Sequence, residues 1–113
     1  MDVRLVQLLG SFITARSEYA LARLEFAMHF PGEDAPPLID RLHEPSERAL
    51  REEWPNLEEQ LEAALGFMKR LEQSKRSKLL ADEGYRRLQR TLRELDQYAR
   101  AIRWVMTVSE SEH

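Results

Sequence analysis

Residues 82–108 read DEGYRRLQRTLRELDQYARAIRWVMTV. Within them Tyr85, Leu88, Leu92, Leu95, Ala99, Ile102 and Met106 recur at alternating steps of three and four. That period lines one face of an α-helix, whereas a half-buried strand would alternate every second residue. Asp82 stands where an N-cap carboxylate belongs. The reading predicts a helix over about 82–108, followed by a frayed polar tail at 109–113.

Working back from this helix, residues 72–78 read EQSKRSK and carry no apolar side chain. The stripe lapses for two turns, so a helix end and a solvated turn are expected there. Neither glycine nor proline enforces the break, which leaves one continuous helix from Asn56 to Val108 as the alternative. The preceding helix is expected over about 56–77, with Leu57, Leu61, Ala64, Leu65, Met68 and Leu71 as its stripe. Asn56 with Glu59 three residues later resembles a capping box. Residues 36–54 are expected to form a short helix broken near Pro45, because proline ends or restarts a helix.

The first helix is expected over about 3–29, capped by Asp2 and stopped by Pro31-Gly32. Its main apolar row is Leu5, Leu8, Phe12, Ala15, Tyr19, Ala22 and Phe26. A second row flanks it: Val6, Leu9, Ile13, Ala20, Leu24 and Ala27. Together they are wider than one partner helix needs. This helix is therefore either central to the bundle or part of an interface between chains. The fold expected is all-α: an antiparallel bundle of three long helices plus one short broken helix, forming one domain over 1–113.

Composition narrows the chemistry. Of 113 residues, 42% are hydrophobic and 33% charged, which suits helices with one buried and one solvated face. With no cysteine, a disulfide framework and a thiolate metal site are excluded, and a reducing cytoplasm is the expected location. No apolar run reaches the length of a membrane-spanning helix, and the opening Met1-Asp2-Val3-Arg4 does not read as an export signal.

The net charge is −3, but it is unevenly distributed. Residues 31–62 hold ten acidic and three basic side chains, and residues 69–93 hold nine basic and three acidic ones. If the last two long helices form a hairpin, Lys75, Arg76, Lys78, Arg86, Arg87, Arg90 and Arg93 gather towards its turn. Arg86, Arg90, Arg93 and Arg100 share one helix face, which Trp104 extends. Such a stripe suits an acidic protein surface or nucleic-acid phosphates. The acidic sequence pI of about 5.7 weighs against a dedicated nucleic-acid domain.

Enzymatic chemistry finds little footing. Glu25 and His29 are one helical turn apart, but bundle metal centres repeat a Glu-x-x-His step that this chain lacks. The four glycines are scattered and form no phosphate-cradling loop. Neither a metal nor another cofactor is expected. The leading expectation is a non-enzymatic interaction module, an adaptor, chaperone or accessory subunit. It would bind a protein partner or a second copy of itself, with Phe12, Tyr19, Phe26 and Trp104 as apolar contacts. An accessory subunit contacting nucleic-acid backbone through the basic residues is the second expectation. A metal-dependent bundle enzyme centred on Glu25 and His29 is the third. No small-molecule substrate or membrane partner is expected.

Overall fold

A computed structural model describes residues 3–39 and 46–111, with side chains through residue 108. Its helices are α1 (Val3–His29), α2 (Glu47–Gln73), the single turn α3 (Ser77–Leu80) and α4 (Glu83–Ser111). No strand occurs among the described residues, and the three long helices pack as an all-α bundle.

Side-chain contacts fix the directions. Arg87 on α4 meets Glu25 near the end of α1, while Arg4 at the start of α1 lies over the ring of Trp104. Arg103 likewise meets Glu58 on α2, and Gln89 meets Glu72. α4 is thus antiparallel to both α1 and α2. Phe12 stands beside Trp54 and Phe26 beside Phe67, so α1 and α2 run parallel to each other. Buried Ala15, Ala22 and Ala99 help α1 and α4 approach closely, because an alanine keeps little side chain between two helix axes.

Parallel α1 and α2 require the chain to travel back along the bundle between them. Gly32 begins the return at φ 96°, a left-handed conformation that glycine adopts without a Cβ penalty. Residues 34–39 are irregular and tied down by side chains. Arg23 Nε donates to the Ala35 carbonyl at 2.7 Å, and the Tyr19 hydroxyl donates to the Pro36 carbonyl at 2.6 Å. The Gln60 amide pairs with both backbone groups of Ile39, at 2.6 and 2.8 Å. Buried Ala35 and Leu38 anchor the crossover to the core. Burial pushes the Tyr19 hydroxyl up to about 12, with Arg23 opposing the shift and Asp34 adding to it, so the hydroxyl stays a neutral donor.

Of the broken helix expected over 36–54, the second part is helical but is not a separate element, and residues 40–45 lie outside the described residues. Residues 36–39 belong to the irregular crossover, and Glu47–Trp54 are the opening turns of α2. Pro45, the expected break, and Asp2, the expected first cap, lie outside the described residues. Ser46 is the N-cap of α2, its hydroxyl accepting from the Ala49 amide at 3.1 Å. Asn56 lies inside α2 and donates to Glu53, so it caps nothing. Pro55 is tolerated in the helix because it sits on the exposed side of it. Meanwhile Leu50, Trp54, Leu57, Leu61, Ala64, Met68 and Leu71 keep one buried seam across it.

The break in the polar stretch is real, and the single long helix is not formed. α2 ends at Gln73, and Lys75 turns the chain at φ 54°. Leu79 on α3 is buried and pins the turn to the core. α4 continues to Ser111, so the expected frayed tail is helical at least that far.

Two substitutions test this architecture by chemical denaturation. Leu88→Ala should cost about 2–5 kcal/mol, because Leu88 has no solvent exposure and truncation leaves a cavity. Tyr19→Phe should cost about 1–3 kcal/mol by leaving the Pro36 carbonyl without its donor. Wild-type stability in either variant would contradict the packing described.

Candidate interaction faces

The three long helices present different outward surfaces. On α1 the outward row is apolar and uncharged. Val3, Val6, Leu21, Leu24 and Met28 lie along it, with exposures from 47% at Val6 to 80% at Met28. Gly10, Thr14 and Ser17 form its narrow middle. The charged residues of α1 (Arg4, Arg16, Glu18, Arg23 and Glu25) fall on its flanks or inward side. The row is two exposed apolar clusters, Val3 and Val6 near one end and Leu21, Leu24 and Met28 near the other, joined by small uncharged residues, and exposed apolar clusters on a solvated helix are the kind of surface that marks an interaction site.

Gly10 is informative within this row. A helix-interior glycine costs about 1 kcal/mol relative to alanine. A Cβ built at Gly10 would meet nothing within 4 Å, so packing inside the chain does not require the glycine. An open groove of about 600 Å³ lies there, with a largely polar border of Gln7, Gly10, Thr14 and Glu18 of α1 and Glu94 and Tyr98 of α4.

Phe12, Tyr19 and Phe26 were expected as partner contacts, and the structure corrects this. Each is at most 1% exposed. Phe12 packs on Trp54 at 5.8 Å between ring centroids, and Phe26 meets Phe67 edge-on at 6.3 Å. They form the inward seam. The surplus apolar surface is the row displaced from them around the helix, where Val3, Leu21 and Met28 join the expected Val6 and Leu24. The signal for it was in the sequence: Val3, Gly10, Ser17 and Leu24 are spaced by seven residues, as are Leu21 and Met28. Trp104 is placed as expected, 60% exposed on α4, with the Arg4 guanidinium 5.9 Å from its ring centroid.

The basic residues are only partly brought together. Arg76 pairs with Glu33, and Arg87 pairs with Glu25 at 2.9 Å. Arg86, Arg87 and Arg90 border a cavity of about 500 Å³ with Glu25 and Glu83. Arg93 lies over the groove between α2 and α4 beside Lys69 and Glu72. Lys75 and Lys78 are exposed in the turn region. Arg86, Arg90, Arg93, Gln97, Arg100 and Trp104 nonetheless share the outward face of α4, and all six are exposed. The outward face of α2 is acidic through Glu52, Glu59 and Glu62, then basic at Lys69 and Arg70.

Glu25 and His29 are engaged separately. His29 Nδ1 lies 2.9 Å from the Asp82 carboxylate, which also accepts the Gly84 amide at 2.7 Å and the Tyr85 amide at 3.3 Å. Asp82 therefore caps α4, as expected, while holding the end of α1. Gly84 is needed at this junction, because a Cβ there would come 2.8 Å from Asp82 Oδ1 and 2.9 Å from His29 Nδ1. Among the described residues no group of three or more His, Cys, Asp or Glu could hold a metal ion. No helix among them is long and apolar enough to cross a membrane. Compared with known proteins, the chain matches no protein-family model, no curated protein and no solved structure. The functional reading therefore rests on these surfaces.

The His29–Asp82 contact predicts a pH dependence. The hydrogen bond from His29 lowers the Asp82 carboxyl below its usual range, and the same bond raises His29 above its own. The His29 contribution is present below the ordinary histidine value of about 6.5 and is lost as pH rises through the raised folded value. The Asp82 contribution is present above about 3.9 and is lost as pH falls through the lowered one. Thermal melts between about pH 5 and pH 8 should show wild type losing more stability towards alkaline pH than His29→Gln. Parallel profiles would contradict the linkage.

Proposed function

We propose that this chain is a non-enzymatic protein-interaction module, an adaptor or accessory subunit whose α1 docks against a helical partner surface. The observation that carries the reading is the uncharged outward row Val3, Val6, Leu21, Leu24 and Met28, exposed on a helix whose inward seam is already satisfied. Covering such a row releases water from apolar surface, at roughly 25 cal/mol per Å² buried. The charged flanks then help set orientation. Trp104 and Arg4 stand near one end of α1, where an aromatic ring and a guanidinium make a suitable anchor. The cysteine-free composition suits work in a reducing cytoplasm.

The test is the assembly state of the tagged chain in extracts of its own cells. Wild type should travel in a particle heavier than its own 13.3 kDa. Leu21→Glu/Leu24→Lys should travel as the single chain while keeping the wild-type helical circular dichroism. Wild type found only as the single chain would contradict the reading.

The α4 stripe favours a second reading, an accessory subunit that contacts nucleic-acid backbone. Arg86, Arg90, Arg93 and Arg100 span about 20 Å of one outward face, with Trp104 beyond them. On this reading, binding to random oligonucleotides falls steeply with salt, and Arg90→Ala/Arg93→Ala lowers the slope of log K against log salt by about two. No binding at low salt removes it.

A further inference from the structure

We infer that the occupant of the α1 face is a second copy of this chain, with the two α1 helices packed antiparallel about a two-fold axis. The inference rests on the docking role proposed above and names its partner.

The face is self-complementary in one direction. Its large side chains lie towards the two ends, at Val3 and Val6 and at Leu21, Leu24 and Met28, with Gly10, Thr14 and Ser17 between them. An antiparallel register places Val3 against the partner's Met28, Val6 against the partner's Leu24, and Gly10 against the partner's Leu21. Thr14 then meets the partner's Ser17 at the axis. Each methionine or leucine then meets a valine or a glycine and never another of its own size, so the largest side chains do not collide along the seam. A parallel pair would set Gly10 on Gly10 and Met28 on Met28, leaving a void in the middle and crowding at one end. Packing at interior density disfavours that arrangement. Antiparallel packing also sets the positive N-terminal end of each helix beside the negative C-terminal end of the other.

The groove at Gly10 supplies the hole for this knob. Its open volume of about 600 Å³ lies beside Gly10 and Thr14, with Gln7, Glu18 and Glu94 on its rim, and the register brings the partner's Leu21 over the bare Gly10 backbone. The exposed helix glycine, which the single chain's packing does not require, is explained by that insertion. Each copy offers a strip roughly 40 Å long and 10 Å wide. Two such strips bury roughly 800 Å² in total, the size of a weak, concentration-dependent pair.

The experiment uses the whole purified chain. Light scattering across a dilution series should give twice the mass of the single chain. Gly10→Leu fills the groove without touching the chain's own core, and it should weaken dimerisation tenfold or more while leaving the helical signal intact. Because the chain has no cysteine, single cysteines report the register. An oxidised equimolar mixture of Val3→Cys and Met28→Cys chains should yield the mixed disulfide in clear excess over either self-paired product. Predominant Val3→Cys self-pairing overturns the antiparallel register. A dimer indifferent to both Gly10→Leu and Leu21→Glu/Leu24→Lys overturns the assignment to this face. If the purified chain is a single molecule at every concentration, the second copy is ruled out. In that case a larger particle in cell extracts, lost in Leu21→Glu/Leu24→Lys, leaves the docking role standing with another partner, and its absence removes both.

Discussion

A helix in a three-helix bundle can bury one stripe against its two neighbours, and α1 carries apolar residues over a wider arc than that stripe. The rest of the molecule follows from how this surplus is divided. The row containing Leu5, Phe12, Tyr19 and Phe26 takes the core, because it meets Trp54 and Phe67 on α2 and the leucine seam of α4. The row from Val3 to Met28 is then turned outward by geometry, since the two rows lie on opposite sides of the same rod. No choice of rotamer inside the single chain can bury both.

The parallel arrangement of α1 and α2 is the second constraint. It obliges the crossover to run back along the bundle, and the crossover consumes the polar capacity of the inward-facing side chains. Tyr19 and Arg23 serve part-buried backbone carbonyls of Pro36 and Ala35, and Gln60 pairs with the exposed backbone of Ile39. At the opposite end of the crossover, the junction of His29, Asp82 and Gly84 ties the end of α1 to the start of α4. Polar side chains thus fix where the helices begin and end, while apolar ones fix which faces meet.

The helices and their seams were legible because periodicity reports burial directly: the α4 stripe from Tyr85 to Met106 is buried residue by residue as read. The boundary expected between residues 54 and 56 falls inside α2, because the seam from Leu50 to Leu71 passes through Pro55 without losing step and outweighs proline's local cost. The crossover was illegible in kind, since nothing local in residues 33–39 says that Tyr19 and Gln60 will hold them. The candidate face was half legible. The excess width of α1 was visible, but periodicity alone cannot say which part of so wide an apolar arc faces inward. The aromatic row drew attention for its size, and aromatic size is also what favours burial. The basic residues read as one patch in sequence, yet helical geometry divides them between a turn, a groove and an outward stripe.

The most direct test of this account is the solvent accessibility of individual methyl groups in the purified protein, measured by relaxation from a soluble paramagnetic chelate. Ile39 provides the internal standard for an exposed methyl away from α1's outward row, and Leu88 the standard for a buried one. The account predicts that Leu21, Leu24 and Met28 are shielded towards the Leu88 level at high protein concentration and become accessible on dilution. Relaxation matching Ile39 at every concentration would contradict it.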